Sequence, residues 1–145
     1  MKNRIILLIV FILNNNCYAQ RYTDKYIKEA NVAAEIWFDK INTQKFNASY
    51  EMLAIELKEK YNEERWSFFM NNLMIEFGEI NSRKMQESLF KSKIDGLEDG
   101  FYVLIEYKSD YSNTEKHFEF LVLKQNDNMK WCVLDYYYEF EEKTN

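Results

Sequence analysis

The sequence contains no proline and only three glycines. A linker or low-complexity segment rich in these residues is therefore excluded, and no second domain boundary is indicated. Histidine is equally scarce, since His117 is the only one. A hydrolase triad or a histidine metal site would need a nucleophile or further ligands at recognisable spacing, and none is present. Beside charged neighbours at the start of a strand, His117 is expected to be exposed to solvent.

Positive charge is also scarce, because the formal net charge is −5. The chain has no basic patch interleaved with aromatic residues. Binding to nucleic acid or to an anionic membrane surface is therefore disfavoured. The acidic residues Asp95, Glu98 and Asp99 do not follow the spacing of a calcium-binding loop and are expected in a solvated turn. We predict no metal ion and no cofactor.

The first nineteen residues have the pattern of a secretory signal peptide. Lys2 and Arg4 precede an apolar run from Ile5 to Leu13, which is too short to span a membrane. Small residues then allow a cut after Ala19. Residues 20–145 would form one exported domain, periplasmic or secreted, without membrane insertion.

Cysteine gives little structural support to this domain. Cys17 lies in the leader and offers an alternative as a lipidation site, although Asn14 and Asn16 occupy places where such sites prefer apolar and small residues. Only Cys132 would remain after cleavage, so an intramolecular disulfide is excluded. Its neighbours Trp131 and Val133 predict burial in a strand.

The period of the apolar residues changes at Gly78. Before Gly78 they recur at the spacing of a helix, and after it at the spacing of a strand. The expected helices span Asp24–Ile41, Ala48–Lys60 and the residues from an Asn62 cap to Gly78. The expected strands are Ile80–Lys93, Phe101–Tyr107, His117–Lys124 and Trp131–Phe140.

This separation of helices from strands predicts an α+β fold. Two or three N-terminal helices would pack on a curved four-stranded antiparallel sheet and enclose a cone. Trp37 and Trp66 are expected in the core. The segment Asp110–Asn113 is expected to be a turn, with Asp110 bonded to its own backbone.

Several segments together resemble the DUF4019 family of exported bacterial domains. They are Ala33–Trp37, Ala48–Tyr50, Glu63–Trp66, Gly78, Ser82–Arg83, Asp99–Val103, Asp110–Asn113, Phe118–Glu119 and Lys130–Tyr137. The resemblance implies a cone similar to the NTF2-like or cystatin-like folds, and it implies no activity. Two places depart from the family pattern. Met74–Phe77 stands where the family has an Arg and a Pro, and Asp135 stands where it tends to have Gly.

Glu119 is the strongest candidate for chemistry. Alternation along its strand places the Glu119 side chain on the face of the sheet that Phe118 and Phe120 do not share, which is the apolar face. A carboxylate there must be paired or stay protonated. We expect an ion pair with Arg83, whose guanidinium matches a carboxylate at two points. The alternative is a free carboxylate that moves protons in an enzyme site.

The last strand carries the remaining candidates. Asp135 has the same parity as Trp131 and either points inward as a second catalytic acid or lies at a bulge. The run from Tyr136 to Tyr138 must place aromatic rings on both faces of the sheet. We predict that Tyr136 and Tyr138 contribute to binding, as Arg83 does, because an uncovered sheet face rich in tyrosine often becomes an interface.

These observations favour a non-enzymatic binding module for a partner protein or a small ligand. A homodimer through the exposed sheet face is one expected form. One alternative is an enzyme of isomerase or dehydratase type that uses Glu119 or Asp135. Another is an inhibitor or immunity-type protein that acts through its sheet.

Overall fold

The computed structural model of the chain describes residues 2–114 and 116–140, with side chains from residue 21 onward. Four helices precede four strands, so the α+β prediction is confirmed. The helices are α1 (Lys2–Asn42), α2 (Phe46–Glu51), α3 (Ile55–Lys60) and α4 (Glu63–Phe77). The strands are β1 (Ile80–Lys91), β2 (Tyr102–Tyr111), β3 (His117–Gln125) and β4 (Trp131–Phe140).

The first helix is longer than expected. It begins at Lys2 rather than Asp24 and runs through the predicted leader. Its apolar stripe is confirmed, since Ala30, Ala34 and Trp37 are fully buried. The side chains of the leader lie outside the described residues, so the cut after Ala19 stays a prediction. Within the described part of the chain, no helix is long and apolar enough to cross a membrane.

The expected single helix over Ala48–Lys60 is wrong, because the chain breaks it into α2 and α3. The break at Leu53 is a short parallel bridge to Val133 in β4. The Val133 N–H donates to the Met52 carbonyl at 2.9 Å, and the Ala54 N–H donates to the Val133 carbonyl at 2.8 Å. Pairing with the sheet therefore replaces the helical hydrogen bonds at this point, which helical periodicity alone does not predict.

The last helix, α4, begins and ends where the sequence indicates. The Asn62 side chain caps it by accepting a hydrogen bond of 2.9 Å from the Arg65 N–H. Four residues of its stripe are buried: Trp66, Met70, Leu73 and Phe77. Phe69, which lies at helical spacing from Trp66 and Leu73, is 42% exposed. It lies at the margin of the buried face.

Gly78 makes the turn from helix to sheet. Its φ of +82° is one that other residues rarely adopt. A Cβ at this position would also overlap the side chains of Ser112 and Asn113. The end of α4 can therefore lie directly against the end of β2.

The four strands form one antiparallel sheet in the order β1-β2-β3-β4. This sheet is open, with the polar strand β1 at one edge and β4 at the other. The structure extends β2 to Tyr111 and places Asp110 opposite Ser82, so the expected turn at Asp110 is wrong. Cross-strand pairing holds this segment extended, and the turn begins one residue after Tyr111.

The core lies between the helices and one face of the sheet, which we call the inner face. Trp37 and Trp66 are both buried there, as predicted. The opposite, outer face carries half-buried and exposed side chains along all four strands. It is a mixture of apolar and charged residues.

A bulge in β4 decides which of its residues reach the core. Val122 pairs with Asp135 while Leu123 pairs with Val133, so Leu134 is the extra residue. One extra residue reverses the side to which every later side chain points. Trp131 and Val133 before the bulge, and Tyr136 and Tyr138 after it, therefore share the inner face.

Candidate functional site

Five polar side chains converge on the inner face, and we call them the polar cluster. Four of them come from the sheet edge and centre: Arg83 in β1, Ser109 and Tyr111 in β2, and Glu119 in β3. The bulge adds Tyr136 from β4. Strand register brings Arg83 opposite Ser109, and alternation places Glu119 on the same face.

Glu119 is the centre of the polar cluster, and its side chain is fully buried. Its Oε2 accepts a hydrogen bond of 2.7 Å from Arg83 Nε and another from the Ser109 hydroxyl. Its Oε1 accepts from Arg83 Nη2 at 3.2 Å. The Tyr111 and Tyr136 hydroxyls donate to the same oxygen at 3.0 Å and 2.8 Å. The expected ion pair with Arg83 is confirmed, and it is bidentate.

Arg83 closes the cluster on the side of α1. Its guanidinium carbon lies 3.6 Å from the centre of the Phe38 ring, a cation–π contact that also shields the charge. Nη2 donates to the Tyr111 hydroxyl. Nη1 lies 3.5 Å from Asn42 Oδ1, near the end of α1. The Arg83 side chain is 9% exposed, whereas that of Glu119 is fully buried.

These contacts set the ionisation of the cluster. Burial by itself would raise the pKa of Glu119, but the charge of Arg83 and the hydrogen bonds from Arg83, Ser109 and Tyr136 outweigh it and lower the pKa. Burial, reinforced by the Glu119 charge, raises the pKa of Tyr111 and Tyr136. At neutral pH the carboxylate is therefore ionised and both phenols keep their protons.

Chemically, the polar cluster is a neutral, internally satisfied unit. A carboxylate with five donors and a low pKa has no proton to give and little tendency to accept one. Removing any partner would take at least one hydrogen bond from a buried carboxylate, which opposes movement of these side chains. The cluster can thus act as a rigid support for what lies around it.

A family model described as a protein of unknown function, DUF4019, matches residues 33–136. The chain belongs to the DUF4019 family. The match includes every member of the polar cluster, because Arg83 and Tyr136 both lie within it. No curated protein and no solved structure matched the chain.

Several sequence-based expectations for this DUF4019 domain are wrong in placement. His117 is buried rather than exposed, because it shares the inner face with Glu119 and packs 4.7 Å from the Phe77 ring. Tyr136 and Tyr138 pack inside instead of on the open face. The exposed tyrosine of the run is Tyr137, with 45% of its surface accessible. Both tyrosine errors follow from the bulge.

Asp135 does not point inward and is exposed on the outer face. Of the two alternatives for it, the position beside a bulge is the one found. Asp135 and Glu119 therefore lie on opposite faces of the sheet, and the fold does not bring the two acids together. Among the described residues, no three His, Cys, Asp or Glu side chains lie close enough to hold a metal ion.

Cys132 is only half-buried, although burial was predicted. It lies on the outer face, opposite to Trp131 and Val133, and faces Asn126 and Lys130 at the β3–β4 turn. Burial nevertheless raises the pKa of its thiol, which keeps it protonated at neutral pH.

Next to the polar cluster is an open cavity of about 630 Å³, which we call the mouth groove. It lies between the ends of α1 and α4 and the adjoining ends of β1 and β2. Tyr111 is shared, since the residue lines the groove while its hydroxyl belongs to the cluster. Four amide side chains line it: Asn42, Gln44, Asn71 and Asn113.

The mouth groove was missed from the sequence. Its lining comes from segments that are distant along the chain and meet only when α4 packs on the sheet. Single asparagines and glutamines are common on protein surfaces and give no motif. The one local signal is Gln44 at the end of a helix, where Gly or Asn is the ordinary residue.

Proposed function

We propose that this DUF4019 protein is an exported, non-catalytic binding domain and that the mouth groove is its binding site. The observation that carries the proposal is the saturation of Glu119 by five hydrogen-bond donors. A carboxylate held in this way is better suited to a structural role than to proton transfer. The helices over a curved open sheet also support the NTF2-like or cystatin-like class of cone.

The size and shape of the mouth groove support binding. Ligand pockets commonly occupy roughly 300–1,000 Å³, and the groove at about 630 Å³ falls within that range. Its wall is held by Tyr111, whose ring packs 5.0 Å from Phe77 and 5.3 Å from His117. A ligand would therefore meet a preformed surface on this side.

The alternative, an isomerase- or dehydratase-type enzyme, would need an inward acid that is free to exchange protons. Glu119 is inward but bonded on both oxygens, and Asp135 is free of the core but outward. Neither residue combines the two properties. The geometry therefore favours binding over catalysis by these acids.

Site-specific photo-crosslinking in the cells that export the protein tests the binding proposal. A photoreactive residue replaces Asn71 in the mouth groove, and a matched one replaces Asn128, an exposed asparagine in the β3–β4 turn. We expect a discrete adduct at position 71 and none at position 128. No adduct at position 71, or the same adducts at both positions, would contradict the proposal.

Export has its own test. If residues 1–19 are a signal peptide, the protein recovered outside the cytoplasm begins at Gln20. Intact-mass measurement distinguishes this from a retained leader and from a lipid on Cys17. A chain recovered only in the cytoplasm would refute the export.

A second candidate function is self-association through the outer face. There Phe120 and Tyr137 stack at 4.7 Å, with the exposed Leu89 on the same face. Register aligns one row across the sheet as Lys84, Lys108, Phe118 and Glu139. If two copies pack face to face about a twofold axis parallel to the strands, Lys84 of one copy lies over Glu139 of the second. The opposite charges of these two residues favour such a dimer.

Sedimentation across a range of concentrations tests the dimer. Lys84→Glu alone and Glu139→Lys alone should each weaken association, and the double reversal should restore it. A protein that stays monomeric at all concentrations excludes the dimer and leaves the outer face to an inhibitor or immunity-type role. Loss of association that the double reversal does not restore would reject the twofold arrangement.

A further inference from the structure

The lining of the mouth groove points to one ligand class, and we infer that it takes an extended, uncharged peptide segment with an aliphatic side chain. This inference rests on the binding function proposed above and adds the chemistry of the occupant. Three features support it: amides with unused hydrogen-bonding groups, aliphatic side chains in the lining, and a rim residue in a costly backbone conformation.

The amides are the recognition groups. Gln44, just after α1, and Asn71, in α4, are exposed on the lining of the mouth groove, and within the described residues their side chains make no hydrogen bond. A carboxamide presents a donor and an acceptor side by side, as a peptide group does. Two such groups on different segments of one groove can each pair with one peptide group of an extended chain.

The apolar part of the lining is mainly aliphatic. It includes Ile41, Met74, Ile75 and Ile80. Ile75 is 67% exposed and leaves apolar surface for a ligand to cover. The single acid on the lining, Glu79, would repel an acidic ligand. These properties favour an uncharged peptide with an aliphatic residue at its centre.

A sugar fits this lining less well. Sugars need a flat aromatic surface that is open to the ligand, and the aromatic ring in the mouth groove is that of Tyr111. This ring is buried and stacked on His117 at an interplanar angle of 4°. Its faces are therefore covered by the protein.

Gln44 gives the third line of support. Its φ of +56° lies in the left-handed region, where a residue other than glycine is strained. The end of α1 imposes this conformation, because the Gln44 N–H donates to Ile41 and the Lys45 N–H donates to Lys40. Glycine would suit the backbone better. A glutamine here gains nothing for the fold and places an amide at the rim of the groove.

Titration followed by NMR tests the ligand class. The probe is the blocked pentapeptide acetyl-Gly-Ser-Leu-Ser-Gly-amide, and the competitors are the same peptide with a central Glu and maltotriose. We expect the leucyl peptide to shift the backbone signals of the groove and to bind at least fivefold more tightly than the glutamyl peptide. Maltotriose should leave these signals unchanged.

Matched variants assign the binding to the amides. Asn71→Ala and Gln44→Gly should each weaken the leucyl peptide about fivefold, the effect of one lost neutral hydrogen bond. Asn128→Ala in the β3–β4 turn should leave it unchanged. Gln44→Gly should also raise the unfolding temperature by about 2–4 °C, which separates lost recognition from lost folding.

Several results would overturn the inference. Equal affinity for the leucyl and glutamyl peptides would rule out an uncharged, aliphatic peptide as the ligand class. Binding of maltotriose without binding of the leucyl peptide would rule it out as well. Unchanged affinity in Asn71→Ala would remove the role of the amides. An adduct at position 71 in cells with no peptide binding would reject the ligand class only, whereas no adduct would reject the binding site as well.

Discussion

The inner and outer faces of the sheet carry the same kinds of side chain in different circumstances. Glu119 and Asp135 are both acids, and Tyr136 and Tyr137 are adjacent tyrosines. On the inner face, Glu119 and Tyr136 are bonded to each other at 2.8 Å. On the outer face, Asp135 and Tyr137 are exposed. The polar groups of Asp135 and Tyr137 can form hydrogen bonds with water, whereas those of Glu119 and Tyr136 depend on partners within the protein.

This difference has an energetic consequence. A buried polar group that loses its partner costs the full desolvation of that group, while an exposed one exchanges its partner for water. Equivalent substitutions on the two faces should therefore differ in cost by several fold. Matched substitutions on the two faces measure this difference.

The largest effect is expected from Arg83→Met, which leaves the buried Glu119 without its counter-charge. We expect a loss of about 3–5 kcal/mol in the free energy of unfolding, the cost of breaking a buried ion pair. Urea denaturation measures it. The control is Lys124→Met, which breaks the partly exposed ion pair with Glu56 and should cost less than about 1 kcal/mol. Similar losses in both variants would show that the inner face is not special.

A smaller effect is expected from Glu119→Gln, about 2–3 kcal/mol at neutral pH, because charge-assisted hydrogen bonds become neutral ones. This cost should depend on pH. Folding lowers the pKa of Glu119, so its ionised form stabilises the protein above the unfolded value of 4.5. That stabilisation is lost as the pH falls from there through the lower folded pKa.

Denaturation of the wild type and Glu119→Gln at a series of pH values measures this dependence. The difference between them should be constant near neutrality and shrink in acid. A difference that grows as the pH falls from neutrality toward 4.5 would mean that Glu119 is protonated in the folded protein. The rigid ionised cluster would then be wrong.

The smallest effect is expected from Tyr136→Phe, which removes one hydroxyl donor from Glu119. We expect a loss of about 1–2 kcal/mol in the free energy of unfolding. The neighbouring Tyr137→Phe removes a hydroxyl from the outer face and should change stability by less than about 0.5 kcal/mol. Thermal and urea unfolding of the two variants give a comparison at adjacent positions. A larger effect at Tyr137 would reverse the assignment of the faces.

Much of the fold could be predicted from local patterns. The Asn62 cap, the end of α4 at Gly78 and the span of β4 depend on neighbouring residues and were placed correctly. The break between α2 and α3 could not be predicted, because it depends on a pairing of Leu53 with Val133, far away along the chain. The extended conformation of Asp110 could not be predicted either, because it depends on pairing with Ser82, which is also distant along the chain.

The candidate site was only partly predictable. Alternation along β3 placed Glu119 inside, and charge then required a partner such as Arg83. The contribution of Tyr136 was not foreseen, because the bulge at Leu134 depends on how β3 and β4 pair. The mouth groove was invisible, since its amides converge only through packing.

Periodicity, capping residues and charge are local properties of this chain. By themselves they determined that helices precede strands along the sequence and that a buried carboxylate needs a cation as its partner. Tertiary structure decided which tyrosine reaches that carboxylate, where His117 lies and which amides surround a cavity. The physical reason is that local preferences act over a few residues, whereas strand register and helix docking are set by the free energy of packing the whole domain.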